Sequence, residues 1–153
     1  WHAHTLGLFA ESGRAVLIAH DKQQYSKLCM EQDDEALLCA AEIEAFGVSH
    51  SALGAALCQA WGLSKDISDG VRARPHSPSQ WGQERPAVQR LLAISAAVDA
   101  LLLNPLTVDK PDAVWAELQP LAEQVGMHFQ SFQMATMRVV DRLNIPQDSS
   151  IHV

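Results

Sequence analysis

The chain has 153 residues, 48% of them hydrophobic and 19% charged, which is enough apolar material to bury a core and too little length for several domains. Eleven Lys and Arg against 18 Asp and Glu give a formal net charge of -7, which repels a phosphate backbone and disfavours nucleic acid as a partner. Apolar runs fall far short of the roughly 18 residues that span a bilayer, and no basic, apolar, small-residue leader opens the chain, so a soluble, cytoplasmic protein is expected.

In chain order, Ala36 to Phe46 reads as a helix with an apolar stripe of Leu37, Ala40, Ala41 and Ile43, closed by Gly47. Ser49 is placed to cap a second helix, His50 to Trp61, stopped by Gly62; Ser64 is placed to cap a third, ending near Ala73. Arg74 to Arg85 holds Pro75, Pro78 and Gly82 and reads as an exposed loop. Pro86 opens a long Ala- and Leu-rich helix to Leu103, expected to be central and buried, which Asn104-Pro105 stops. Two more helices follow, Pro111 to about Gln124 with Val114, Leu118, Leu121 and Val125 on one face, and Phe129 to Leu143 with Phe129, Phe132, Thr136, Val139 and Leu143, stopped by Asn144-Ile145-Pro146. No sustained period-2 alternation, hairpin dipeptide or internal repeat is present, so the fold class is all-α.

Local motifs for chemistry are missing. The glycines follow no phosphate-loop spacing, and there is no G-x-S-x-G elbow. Cys29, Cys39 and Cys58 form no CxxC pair and are expected to be reduced thiols in the core. The start at Trp1, without an initiator Met, reads as a fragment or an excised domain.

Two blocks carry a family resemblance. Glu44 to Leu57 (EAFGVSHSALGAAL), followed by Trp61-Gly62-Leu63 and Ile67, resembles the HDOD domain, a bacterial signalling relative of the HD metal-dependent phosphohydrolases. Leu6-Gly7-Leu8-Phe9 with Gly13 and the apolar run Val16 to Ile18 is similar to that family's Gly-Leu-Leu-His-Asp-Ile-Gly segment. The first block also makes sense physically. Ala52, Gly54, Ala55 and Ala56 offer a face small enough for close helix approach, and Leu53, Leu57 and Trp61 form a ridge in which Trp61 is expected to be a core anchor.

The resemblance implies an HD/HDOD-like helical bundle over 1–104, incomplete at its N-terminus; the helical extension over 105–153 lies beyond the resemblance and is expected, from its apolar stripes, to pack on that bundle. A second copy of the chain is the alternative cover for the extension's apolar stripes. In catalytic HD proteins a His-Asp doublet and further His and Asp residues hold metal, whereas the doublet position here reads Ala10-Glu11 and the later His-His position reads Ala73-Arg74-Pro75. Glu11, His50, His76 and Asp99 are the candidates for a degenerate remnant of that site; no metal, cofactor or catalytic residue is expected.

The resemblance therefore implies a non-catalytic bacterial regulatory module acting through a protein partner or an attached signalling domain, homodimer included. The alternative is a metal-dependent phosphohydrolase of a nucleotide or cyclic dinucleotide, with Glu11, His50 and Asp99 as ligands. Around the Pro-rich loop, Arg72, Arg74, Trp81 and Arg85 are candidates for an interaction surface, since Arg and Trp dominate binding hot spots, and a nucleotide-sensing role for the arginines is a third reading.

Overall fold

The computed structural model describes residues 2–103 and 111–143; Trp1, the helix stops at Asn104-Pro105 and Asn144-Ile145-Pro146, and the 104/105 division lie outside them. The described residues are helical without a strand: α1 (His2–Ala10), α2 (Ser12–His20), α3 (Lys22–Glu31), α4 (Glu35–Phe46), α5 (His50–Ala60), α6 (Lys65–Ala73), a 3-10 helix (Pro78–Gln83), α7 (Pro86–Leu103), α8 (Pro111–Gln124) and α9 (Phe129–Leu143). No single helix among them is long and apolar enough to cross a membrane.

Side-chain caps fix where several helices begin. Asp34 accepts from the Ala36 and Leu37 amides at 2.9 Å, and Asp21 does the same for Gln24 ahead of α3. Ser49 accepts from the Ala52 amide at 3.2 Å to start α5. Ser64 occupies the capping position of α6 without making the side-chain bond. Between α4 and α5, Gly47 sits at φ 78, a left-handed conformation open to glycine, and its amide returns to the Ile43 carbonyl at 2.9 Å. The α4–α5 corner is thereby fixed, which sets Glu42 and His50 against each other.

Helix α5 runs between α2 and α6 through the small-residue face anticipated from sequence. A Cβ on Gly13 of α2 would lie 1.9 Å from the His50 carbonyl oxygen and 2.8 Å from the Gly54 nitrogen, so the two backbones touch. On the other side, Gly54 faces Val71 of α6. Leu6, Cys58, Ile67 and Val71 fill this part of the core. A larger cluster runs from Ala73 and Trp81 through Val88, Leu92, Ala93 and Ala97 of α7 to Val114 and Ala122 of α8 and Phe132 and Val139 of α9. Helix α7 is central as expected and shares this cluster with α8 and α9, although Leu143 at the end of the α9 stripe is 50% exposed. Cys58 is buried, while Cys29 and Cys39 are only half-buried.

Two packing expectations are corrected. Helix α4 turns Leu38 and Glu42 inward and leaves Leu37 and Ile43 59% and 55% exposed, because its inner face is built around a buried acid as well as a leucine. Trp61 is 56% exposed and packs at a tilt against Phe9 with ring centroids 5.2 Å apart, so at the end of α5 it covers the surface instead of anchoring the core.

The crossing predicts opposite signs for two glycine substitutions. Gly13→Ala should lower stability by about 2 kcal/mol or more, since backbone must move to admit the methyl. Gly7→Ala, with nothing within 4 Å of its added methyl, should raise it by about 0.5–1 kcal/mol through helix propensity. Urea unfolding of both variants measures the difference.

Candidate functional site

A fully buried carboxylate organises the interior of α3, α4 and α5. Glu42 has no solvent exposure and accepts from the Tyr25 hydroxyl at 2.8 Å and the His50 backbone amide at 2.7 Å. The His50 ring nitrogen Nδ1 lies 2.8 Å from both Glu42 oxygens, giving an ion pair whose lone pairs are well used. Cys39 Sγ is 3.7 Å from the same Nδ1 and 3.6 Å from Ser51 Oγ. Burial opposes the charged imidazole, but hydrogen bonding with Cys39 and the attraction of Glu42 outweigh it and raise the His50 pKa above its ordinary value. Burial, reinforced by Glu42, pushes the Tyr25 phenol well above its ordinary range and keeps it a proton donor.

The polar chain continues outward. His50 Nε2 stands 3.5 Å from Glu35, which also pairs with Arg14, and Arg14 Nε is 2.6 Å from Glu11. Glu11 accepts from Arg74 Nη1 at 2.8 Å, and Arg74 Nη2 donates to Asp99 at 2.8 Å. Burial would lower the Arg74 pKa, yet Asp99 and Glu11 raise it, so the guanidinium is a fixed charge. Glu11, Glu35, His50, Arg74 and Asp99 line one cavity of about 400 Å³, floored by Val71, Leu92 and Trp81. One network thus links α3 to α7 through four other helices or helix ends.

Of the remnant candidates, the fold brings Glu11, His50 and Asp99 to this cavity and leaves His76 exposed outside its lining. The candidate interaction surface is rearranged. Trp81 is 4% exposed, in the larger core, with its indole Nε1 donating to the His76 carbonyl at 2.9 Å, so the expected exposed loop is a 3-10 helix pinned by an aromatic. Arg85 pairs with Asp66 at 2.7 Å and Asp69 at 2.9 Å, and Arg74 with Glu11 and Asp99; only Arg72 of the four has an exposed side chain with no pairing described. Acids distant in sequence supply the partners that the loop itself lacks.

Sequence reasoning missed Tyr25, Arg14, Cys39 and the burial of Glu42. A signal for Glu42 exists: it follows Leu38 by four residues, on one helix face, and precedes His50 by eight.

Comparison with known proteins finds a counterpart for α1 to α6. The family model of the HDOD domain matches residues 2–77, and this segment of the chain belongs to that family. No curated protein and no solved structure matches the chain. The HD relationship raises the question of a divalent cation in the cavity, and the residues do not fit one. Ala10 offers no ligand atom, and the carboxylates of Glu11 and Asp99 are already engaged by the guanidinium between them.

Tyr25→Phe should cost about 1–1.5 kcal/mol and Glu42→Gln about 2 kcal/mol or more, because the second leaves donors on His50 mismatched in a buried site; chemical denaturation reads both. Burial would raise the Asp69 pKa, but Lys65 and Arg85 outweigh it and hold it below its ordinary value. Its stabilisation is therefore present above about pH 3.9, the unfolded value, and fades as pH falls through the lower folded value. A thermal melting series should show native chain and Asp69→Asn separated at neutral pH and converging in acid.

Proposed function

We propose that the chain is a non-catalytic regulatory module of a bacterial, cytoplasmic signalling system, working through a protein partner or an attached domain. The Arg74 bridge between Glu11 and Asp99 carries this reading. A divalent cation promotes phosphoester hydrolysis by polarising the ester and by acidifying a bound water; a guanidinium can stabilise phosphate charge but generates no hydroxide nucleophile, and it stays protonated and covalently tethered. What it supplies is a clamp joining the start of α2, the end of α6 and α7.

A clamp of this kind suits a relay. A partner that engages α7 to α9 acts on α1 to α6 through Arg74 and Asp99, and differential affinity for two helix arrangements is all the signal requires. The outward face of α4, with Leu37 and Ile43, and the exposed Trp61 add apolar surface for contact. The phosphohydrolase alternative would need a metal where Arg74 lies.

The test is turnover together with dynamics. Purified chain incubated with cyclic dinucleotides or a chromogenic phosphodiester, with Mn²⁺ or Mg²⁺ added, should release no product. Arg74→Ala should accelerate hydrogen exchange at α7 amides near Asp99 by about tenfold, as expected for loss of charge-assisted hydrogen bonds, while gaining no activity. Hydrolysis that disappears in Asp99→Ala would overturn the reading.

A further inference from the structure

Cys39, Glu42 and His50 present a thiol sulfur, a carboxylate oxygen and an imidazole nitrogen that all lie within 4.8 Å of one another. We propose that these three residues form a zinc-binding site beside the cavity that contains Arg74, with His50 common to both. The donor set is the first argument. A thiolate, an imidazole and a carboxylate are the ligands a borderline-soft divalent cation takes, and one thiolate with one carboxylate neutralises Zn²⁺ in an interior that tolerates no net charge.

Geometry is the second argument. In a tetrahedral zinc site with bonds of about 2.3 Å to sulfur and 2.0–2.1 Å to nitrogen, sulfur and nitrogen stand about 3.6 Å apart. Cys39 Sγ and His50 Nδ1 stand 3.7 Å apart. The His50 Nδ1 to Glu42 distance of 2.8 Å is that of a shared proton, and zinc in its place parts the two groups by about 0.5 Å. The proton and the metal thus compete for one position, and binding releases the Cys39 thiol proton and the Nδ1 proton to solvent.

Support around the ligands is the third. A metal-bound imidazole ordinarily gives its other nitrogen to a carboxylate, and His50 Nε2 faces Glu35 at 3.5 Å. Glu42 is oriented by the Tyr25 hydroxyl and the His50 amide, and Ser51 Oγ stands beside the Cys39 sulfur. Cys39 is half-buried, so a cation reaches the site from the α4 side. The fourth coordination position falls to water.

The experiment uses the whole chain, stripped with a chelator and titrated with ZnCl₂. One zinc per chain should bind, with affinity falling at least tenfold in Cys39→Ser and by about tenfold in Glu35→Gln, as typical for loss of an outer partner. Thermal melts of the metal-free variants check that both remain folded. Cobalt substitution should produce a thiolate-to-metal charge-transfer band that Cys39→Ser abolishes. Absence of stoichiometric zinc, or zinc held equally well by Cys39→Ser and so bound by surface histidines, overturns the proposal.

Discussion

A carboxylate with no access to water must be fully paired, and Glu42 meets that demand by drawing three helices together. Tyr25 arrives from α3, His50 from α5, and the acid itself stands on α4. Leaving any one partner out would strand charge or donors in the core, so the relative placement of these helices is set more tightly than apolar contact alone would set it. Gly13 then completes the arrangement, because the His50 carbonyl that follows from this pairing is the surface on which α2 rests.

From that interior point, charge alternates outward in sign through Glu35, Arg14, Glu11, Arg74 and Asp99. Each member neutralises its neighbours, so the cavity is polar without holding a concentrated field of either sign. The segment between α6 and α7 is fastened at both ends, by Arg74 and by Arg85, with Trp81 in the core between them. Proline-rich composition suggested an exposed loop; ion pairs and an aromatic make it a fastened corner. Movement of α7 relative to α6 must therefore break or carry along both fastenings.

How far the sequence could be read follows from the range of the interactions involved. Helix ends at Gly47 and Ser49 depend on neighbours within a few residues, and they stand where the local pattern places them; the small-residue face at Gly54 shows in the local pattern, although the helices that pack on it come from elsewhere in the chain. The family relationship was likewise carried by short contiguous blocks. Trp61, Trp81 and the inner face of α4 depend on what arrives from elsewhere in the chain, and there local pattern misled. Glu11 and Asp99 were singled out as metal remnants, but only the fold shows an arginine from position 74 between them. Tyr25 and Cys39 gain meaning solely from the approach of α3, α4 and α5.

The contrast between two tryptophans has a spectroscopic consequence. Trp81, enclosed by aliphatic side chains, belongs to the blue-emitting class of indoles, whereas Trp61 faces water and belongs to the red-emitting class. A soluble collisional quencher such as iodide reaches the second and is denied the first. With Trp1 and Trp115 replaced by Phe, fluorescence from a single sample therefore resolves events at the tip of α5 from events in the interior beneath α7.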